Sequence, residues 1–168
     1  ASVLEPAIAN FAAAVASNLA TVGLGTDTGN SIRGPSSHNA LVGFRTTLGL
    51  ISREGIVPLY LRNDVVGPMC RTVADATRVM QAMVGYDEAD PITKRGTDQE
   101  EVDYTKFLEA DGLKDARIGV LRELSEADVH PEISALFNQA LVDMEGLGAT
   151  IVDPVVVPNF TELRKGQW

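Results

Sequence analysis

The chain has 168 residues and a formal net charge of -9, with 45% hydrophobic and 22% charged residues and a mean hydropathy of +0.04. It is long enough for one packed core, and its acid surplus leaves no basic face for neutralising phosphates, so neither nucleic acid nor an anionic membrane is an expected partner. The sequence has no apolar run of bilayer length and no charged-then-apolar signal segment, and the lone cysteine, Cys70, can form no internal disulfide, in keeping with a reducing, cytoplasmic compartment.

In chain order, the spacing of Ile8, Phe11, Ala12, Val15, Ala16 and Leu19 predicts an alanine-rich helix over residues 6–19, with Asn18 as its stop. Residues 20–24 read as a short buried strand. It delivers Gly25-Thr26-Asp27-Thr28-Gly29-Asn30-Ser31-Ile32-Arg33-Gly34, in which the glycines permit sharp turns and close approach to a bound group. Residues 40–46 are a second strand, Gly55 marks a turn before an extended piece at 56–59, and Gly67-Pro68 a further break. Thr72 and Asp75 resemble a capping box, opening a helix that carries Val73, Ala76, Met80, Met83 and Val84 as far as Gly85. Residues 86–99 read as a polar surface connection whose acids are solvated.

The last third has a strand at 116–121 and a helix begun by Pro131 and closed by Gly148. That helix bears Ile133, Leu136, Phe137, Ala140, Leu141, Met144 and Leu147 as one stripe. A strand over 150–157, interrupted by Pro154, completes a βαβ unit with a right-handed crossover. Residues 159–167 carry no pattern, and the class is α/β without an internal repeat.

A serine hydroxyl is a weak nucleophile unless a base takes its proton and donors stabilise the developing oxyanion. The loop supplies the donors if the backbone N–H groups of Thr28, Gly29, Asn30 and Ser31 converge on one point. Asp27 and Arg33 flank Ser31 where an ion pair or hydrogen bonds to the backbone would brace the loop. On residues alone, the stretch fits a structural glycine turn with a capping serine better, since such loops are common.

The run from Gly25 to Ser36 closely resembles the core of the amidase signature family. The likeness continues through Val42-Gly43-Phe44-Arg45-Thr46-Thr47-Leu48-Gly49, Ser52-Arg53-Glu54-Gly55-Ile56-Val57-Pro58 and residues 64–75, and more loosely through 117–121 and 146–152, so it covers most of the chain. The resemblance implies an α/β fold with a large mixed sheet covered by helices, and hydrolysis of a small-molecule amide through an acyl-enzyme without metal or cofactor. It implies Ser31 as nucleophile and the amides of Thr28, Gly29 and Asn30 as the oxyanion hole. It further implies a base relayed through a second serine, in a cis peptide, and a lysine.

Two of those groups have no match. The stretch that carries the relay serine aligns with Glu5-Pro6-Ala7-Ile8-Ala9-Asn10, placing Ala7 at the relay position and Ile8 beside it, and the lysine falls upstream of Ala1. Asn30 stands where the family has a glycine, which keeps the backbone N–H. Three readings stay open: an interior piece of a longer enzyme whose remainder supplies the lysine, a degenerate homologue that binds or assembles without catalysing, or a start wrongly joined to the rest. On the first, the partners are the remaining amidase chain or a second copy, and an amidotransferase subunit is a variant of the same class.

Other side chains read as structural. His38 is a weak candidate for a missing base, His130 is a helix-start residue, and Cys70 is a buried small hydrophobe. Asp64 shapes the pocket or binds Arg71, and Met69, Met80 and Met83 are core residues.

Overall fold

The computed structural model describes residues 4–99, 102–125 and 129–165. Ser2, the chain's only serine before Ser17, lies outside these residues. The chain forms two units, Ala1–Leu108 and Glu109–Trp168.

In the first unit, helix α1 (Leu4–Ala16) ends where Asn18 takes a left-handed conformation, φ 60. Its buried face is Ala12 and Val15, whereas Phe11 and Leu19, expected on the same stripe, are 53% and 84% exposed. Strand β1 (Gly23–Asp27) starts later than the apolar run suggests and takes in the first part of the glycine motif, since it pairs antiparallel with β3 (Val65–Cys70) in a register that sets Gly25 opposite Gly67. Helix α2 (Arg33–His38) follows the loop, and strand β2 (Val42–Gly43) pairs with the other edge of β3. Helix α3 (Val73–Met83) opens as expected, with the Thr72 hydroxyl accepting from the Asp75 N–H at 3.1 Å.

Gly67-Pro68 is not a break but the middle of the buried strand β3. The proline explains why β2 is so short. Residue 44 lies opposite Pro68, and the Phe44 N–H donates to the Pro68 carbonyl at 3.0 Å, but proline has no N–H to return the second bond of the pair. At the other end of the expected strand Ala40 has φ 53, outside the strand region. Gly67 is required by close approach, because a Cβ there would lie 2.0 Å from the Phe44 carbonyl oxygen.

Successive residues of β3 serve two cores. Met69 packs with Ala12 and Ile32 on one face, and Val66 with Ile51 and Met80 on the other, as the two-residue period of a strand dictates. Met69, Met80 and Cys70 are therefore core residues as read.

Residues 56–59 join no ladder. The 86–99 connection contains a 3₁₀ helix, Pro91–Gln99, and its acids are not simply solvated. Asp90 is buried and paired with Arg53, and Thr93 is fully buried.

In the second unit, β4 (Arg117–Gly119) and β5 (Thr150–Val152) are parallel neighbours, joined through the short helix α4 (Arg122–Ser125) and α5 (Pro131–Gly146). Pro131 stands in the first turn of α5, and the His130 side chain accepts from the Glu132 N–H. Only Leu141 of the expected α5 stripe is buried, while Ile133, Leu136 and Leu147 are exposed. Residues Phe160–Lys165, expected to lack pattern, form helix α6. The fold class is α/β. No helix among the described residues is long and apolar enough to cross a membrane.

Candidate active site

The loop between β1 and α2 is organised by one buried carboxylate. Asp27 is the last residue of β1 and is 0% exposed. Its Oδ2 accepts from the N–H of Ile32 at 3.2 Å, the N–H of Arg33 at 3.3 Å and the Arg33 Nε at 3.0 Å. Residues 28–31 are thereby folded into a closed turn whose two ends are held by the same group. The expected bracing by Asp27 and Arg33 is present in this form. Burial pushes the Asp27 carboxyl up, but the hydrogen bonds and charge of Arg33, with the Ile32 N–H, outweigh it and hold the group below its ordinary value.

The turn is not made by left-handed glycines. None of Gly25, Gly29 and Gly34 has positive φ, and Gly25 belongs to the strand. A Cβ at Gly34 would lie 2.6 Å from the side-chain nitrogen of exposed Asn30, which can swing away, so the fold does not demand glycine there either.

Within this turn Thr28 and Ser31 are half-buried, and Gly29 and Asn30 are exposed. Among the described residues, the N–H groups of Thr28, Gly29, Asn30 and Ser31 donate to no protein acceptor, and the Ser31 hydroxyl has no hydrogen-bond partner. Backbone N–H groups left undonated beside a hydroxyl can take an acceptor from outside the protein.

Two further residues hold the turn: Arg45, whose partner the sequence does not indicate, and Asp64, expected to shape the pocket or bind Arg71. The Arg45 Nη1 donates to the Asp27 Oδ1 at 2.9 Å and to the Asp27 carbonyl, and its Nη2 to the Asn63 carbonyl at 2.9 Å. Asp64 does not bind Arg71. It accepts the Thr28 hydroxyl on one oxygen and the N–H groups of Leu59 and Tyr60, at 2.9 and 2.8 Å, on the other. Arg71 donates to the carbonyls of Val15 and Ala20 instead. These links join residues 18 and 36 positions apart, a separation that no local spacing rule reports.

The other candidates stand outside this arrangement. His38 closes α2, is exposed and makes no hydrogen bond among the described residues. Cys70 is buried, and that burial pushes its thiol up, away from the reactive thiolate. Ala7, at the relay position, lies within α1. No group of three or more His, Cys, Asp or Glu side chains is placed to hold a metal among the described residues.

The end of β1 thus carries a buried acid that closes a turn bearing a half-buried serine. The Amidase family model matches residues 11–165, and the chain belongs to that family. It is 38% identical over 156 residues to a probable amidase of Arabidopsis thaliana, covering 92% of this chain and 29% of that protein. It is 40% identical over 149 residues to a glutamyl-tRNA(Gln) amidotransferase subunit of Microcystis aeruginosa, covering 89% and 30%. Its fold superposes on the peptide amidase of Stenotrophomonas maltophilia with a TM-score of 0.82 at 40% identity, covering 94% of this chain and 32% of that one. The chain thus spans about three tenths of the length of the relatives it matches.

Proposed function

We propose that the chain is the nucleophile-bearing interior portion of an amide hydrolase, with Ser31 as nucleophile and the backbone N–H groups of Thr28, Gly29 and Asn30 as the oxyanion site. The observation that carries this reading is the turn itself: four N–H groups without acceptors and a serine without a partner among the described residues, on a loop closed by a buried carboxylate. Asp27 and Arg33 support the loop and do not touch the substrate.

In the reaction, the Ser31 oxygen attacks the amide carbonyl, its proton passes to a base, and the carbonyl oxygen becomes an anion held by the N–H groups. The C–N bond then breaks as the amine takes a proton. Water attacks the ester so formed, releasing the acid and restoring the hydroxyl. The base is not among the residues around Ser31, and Ala7 stands where the resemblance implies the relay serine. We therefore assign the lysine to chain outside residues 1–168, while Ala7 leaves the relay position within it without a hydroxyl. The working protein is a cytoplasmic enzyme acting on a small-molecule amide, its site completed by the rest of the amidase chain or by a second copy. The acid surplus argues against nucleic acid or a membrane surface as partner.

A fluorophosphonate probe tests the assignment on the natural protein that carries these residues. Labelling that disappears in Ser31→Ala supports it. A folded protein that does not label, and turns over no amide, supports the non-catalytic binding or assembly reading that Ala7 favours.

A further inference from the structure

A cavity of about 590 Å3 lies within the first unit, between the segment over 44–50, α3 and the 3₁₀ turns that follow it. No residue of the turn over 28–31 lines it. Its size falls inside the range for small-molecule sites.

Close backbone approaches build the cavity. Gly49 has φ 88, and a Cβ there would lie 2.6 Å from the Ile92 carbonyl oxygen. A Cβ at Gly96 would lie 2.9 Å from the Gly49 carbonyl oxygen. The 3₁₀ helix Pro91–Gln99 is thus seated against residues 49–50 at two points where only glycine fits, and Arg95, beside Gly96, is brought to the cavity by that contact. The far wall is tied as well. The Tyr104 N–H donates to the Gln81 Oε1 at 2.7 Å and holds the 3₁₀ helix Tyr104–Phe107 against α3.

The lining chemistry is one-sided. Phe44, Leu48, Leu50 and Tyr104 give apolar surface, and no Asp or Glu among the described residues lines the cavity. Both of its charges are guanidinium. Arg45 is engaged by Asp27 and the Asn63 carbonyl, but Arg95 has neither a hydrogen-bond nor an ion-pair partner among the described residues. In a chain of net charge -9, this is a concave apolar surface with an unmet cation and no acid. A ligand cation would be repelled there, and a neutral apolar ligand would leave the guanidinium unmet. An anion with an apolar body satisfies both parts of the wall.

We propose that this cavity binds a small monocarboxylate with an apolar body, the carboxylate on the Arg95 guanidinium and the hydrocarbon against Phe44, Leu48 and Tyr104. The site does not depend on the amidase reading.

The test is calorimetric titration of the natural protein that contains these residues with octanoate, octanol and octylamine, which share one chain and differ in head-group charge. Octanoate is expected to bind about tenfold more tightly than octanol, and octylamine more weakly than either. Arg95→Gln raises the octanoate Kd by about tenfold and leaves that of octanol unchanged. Thr47→Trp, which puts an indole into the cavity, weakens both. Arg95 and Thr47 are exposed, so neither change threatens the core, and a thermal melt of each variant checks this. Absence of octanoate binding, equal Kd values for the three ligands, or unaltered octanoate binding in either folded variant overturns the proposal.

Discussion

Arg45 and Asp27 meet twice, through the carboxylate at 2.9 Å and through the Asp27 carbonyl, and the same guanidinium reaches the Asn63 carbonyl at 2.9 Å. One side chain thus ties the end of β1 to the turn that precedes β3. Arg33 grips the same carboxylate from the other side, but its side chain is 47% exposed against 27% for Arg45. Water can take over part of what Arg33 does and less of what Arg45 does.

From this difference, Arg45→Met should destabilise the first unit by about 2 kcal/mol, the range for losing hydrogen bonds to a buried charge, and Arg33→Met by less. Urea titrations of both variants measure the order. If Arg33→Met costs more, the burial argument is wrong.

Acid should weaken the protein through its paired carboxylates. Hydrogen bonds from Arg53 hold Asp90 below its ordinary value of 3.8, and hydrogen bonds from Arg122 do the same for Asp153. A carboxyl with a depressed folded-state pKa contributes stability that is fully present above the unfolded value and is lost as pH falls through the folded one. Melting temperature should therefore hold near neutrality and decline below about pH 4, and Asp90→Asn should flatten part of that decline. A decline of unchanged size in Asp90→Asn would assign the acid sensitivity elsewhere.

Gly67 and Gly85 should respond in opposite directions to alanine. A Cβ at 67 would meet the Phe44 carbonyl oxygen at 2.0 Å, a backbone atom that can move only by parting β3 from residue 44. The cost should reach about 3 kcal/mol or prevent folding. At 85 a Cβ meets nothing within 4 Å, and φ is not positive. Alanine there should stabilise by about 0.5 kcal/mol through the unfolded chain. Paired thermal melts compare them directly.

Residues 1–168 by themselves should show little amide turnover. A positioned base contributes about 10²–10⁴-fold, and the groups that would activate Ser31 are not beside it. Turnover of an aryl amide by this chain at rates typical of an enzyme, abolished by Ser31→Ala, would show that a base lies within it, with His38 the first residue to replace.

The sequence by itself determined the parts whose signals are local. Thr72 and Asp75 three apart announced the start of α3, Pro131 the start of α5, and the parallel pair β4 and β5 followed from a helix placed between two apolar runs. The run around Ser31 was legible as a motif, and so was the support of the loop by Asp27 and Arg33, six residues apart. Tertiary structure alone decided what crosses between distant segments. Pro68 reads as a break in sequence, yet burial of both faces of β3 makes it strand, and its missing N–H cuts β2 to two residues. Asp64 reads as a residue that shapes the pocket or pairs with Arg71 seven residues on, and only the fold shows that it binds Thr28 across 36 positions. Arg45 lies in a run that carries the family likeness, but its partner is not legible until the strands align it with Asp27. The physical reason is common to these cases: a buried charge is settled by whichever donor the packed chain brings within hydrogen-bond distance, and that choice is made by strand register, which short-range spacing does not encode.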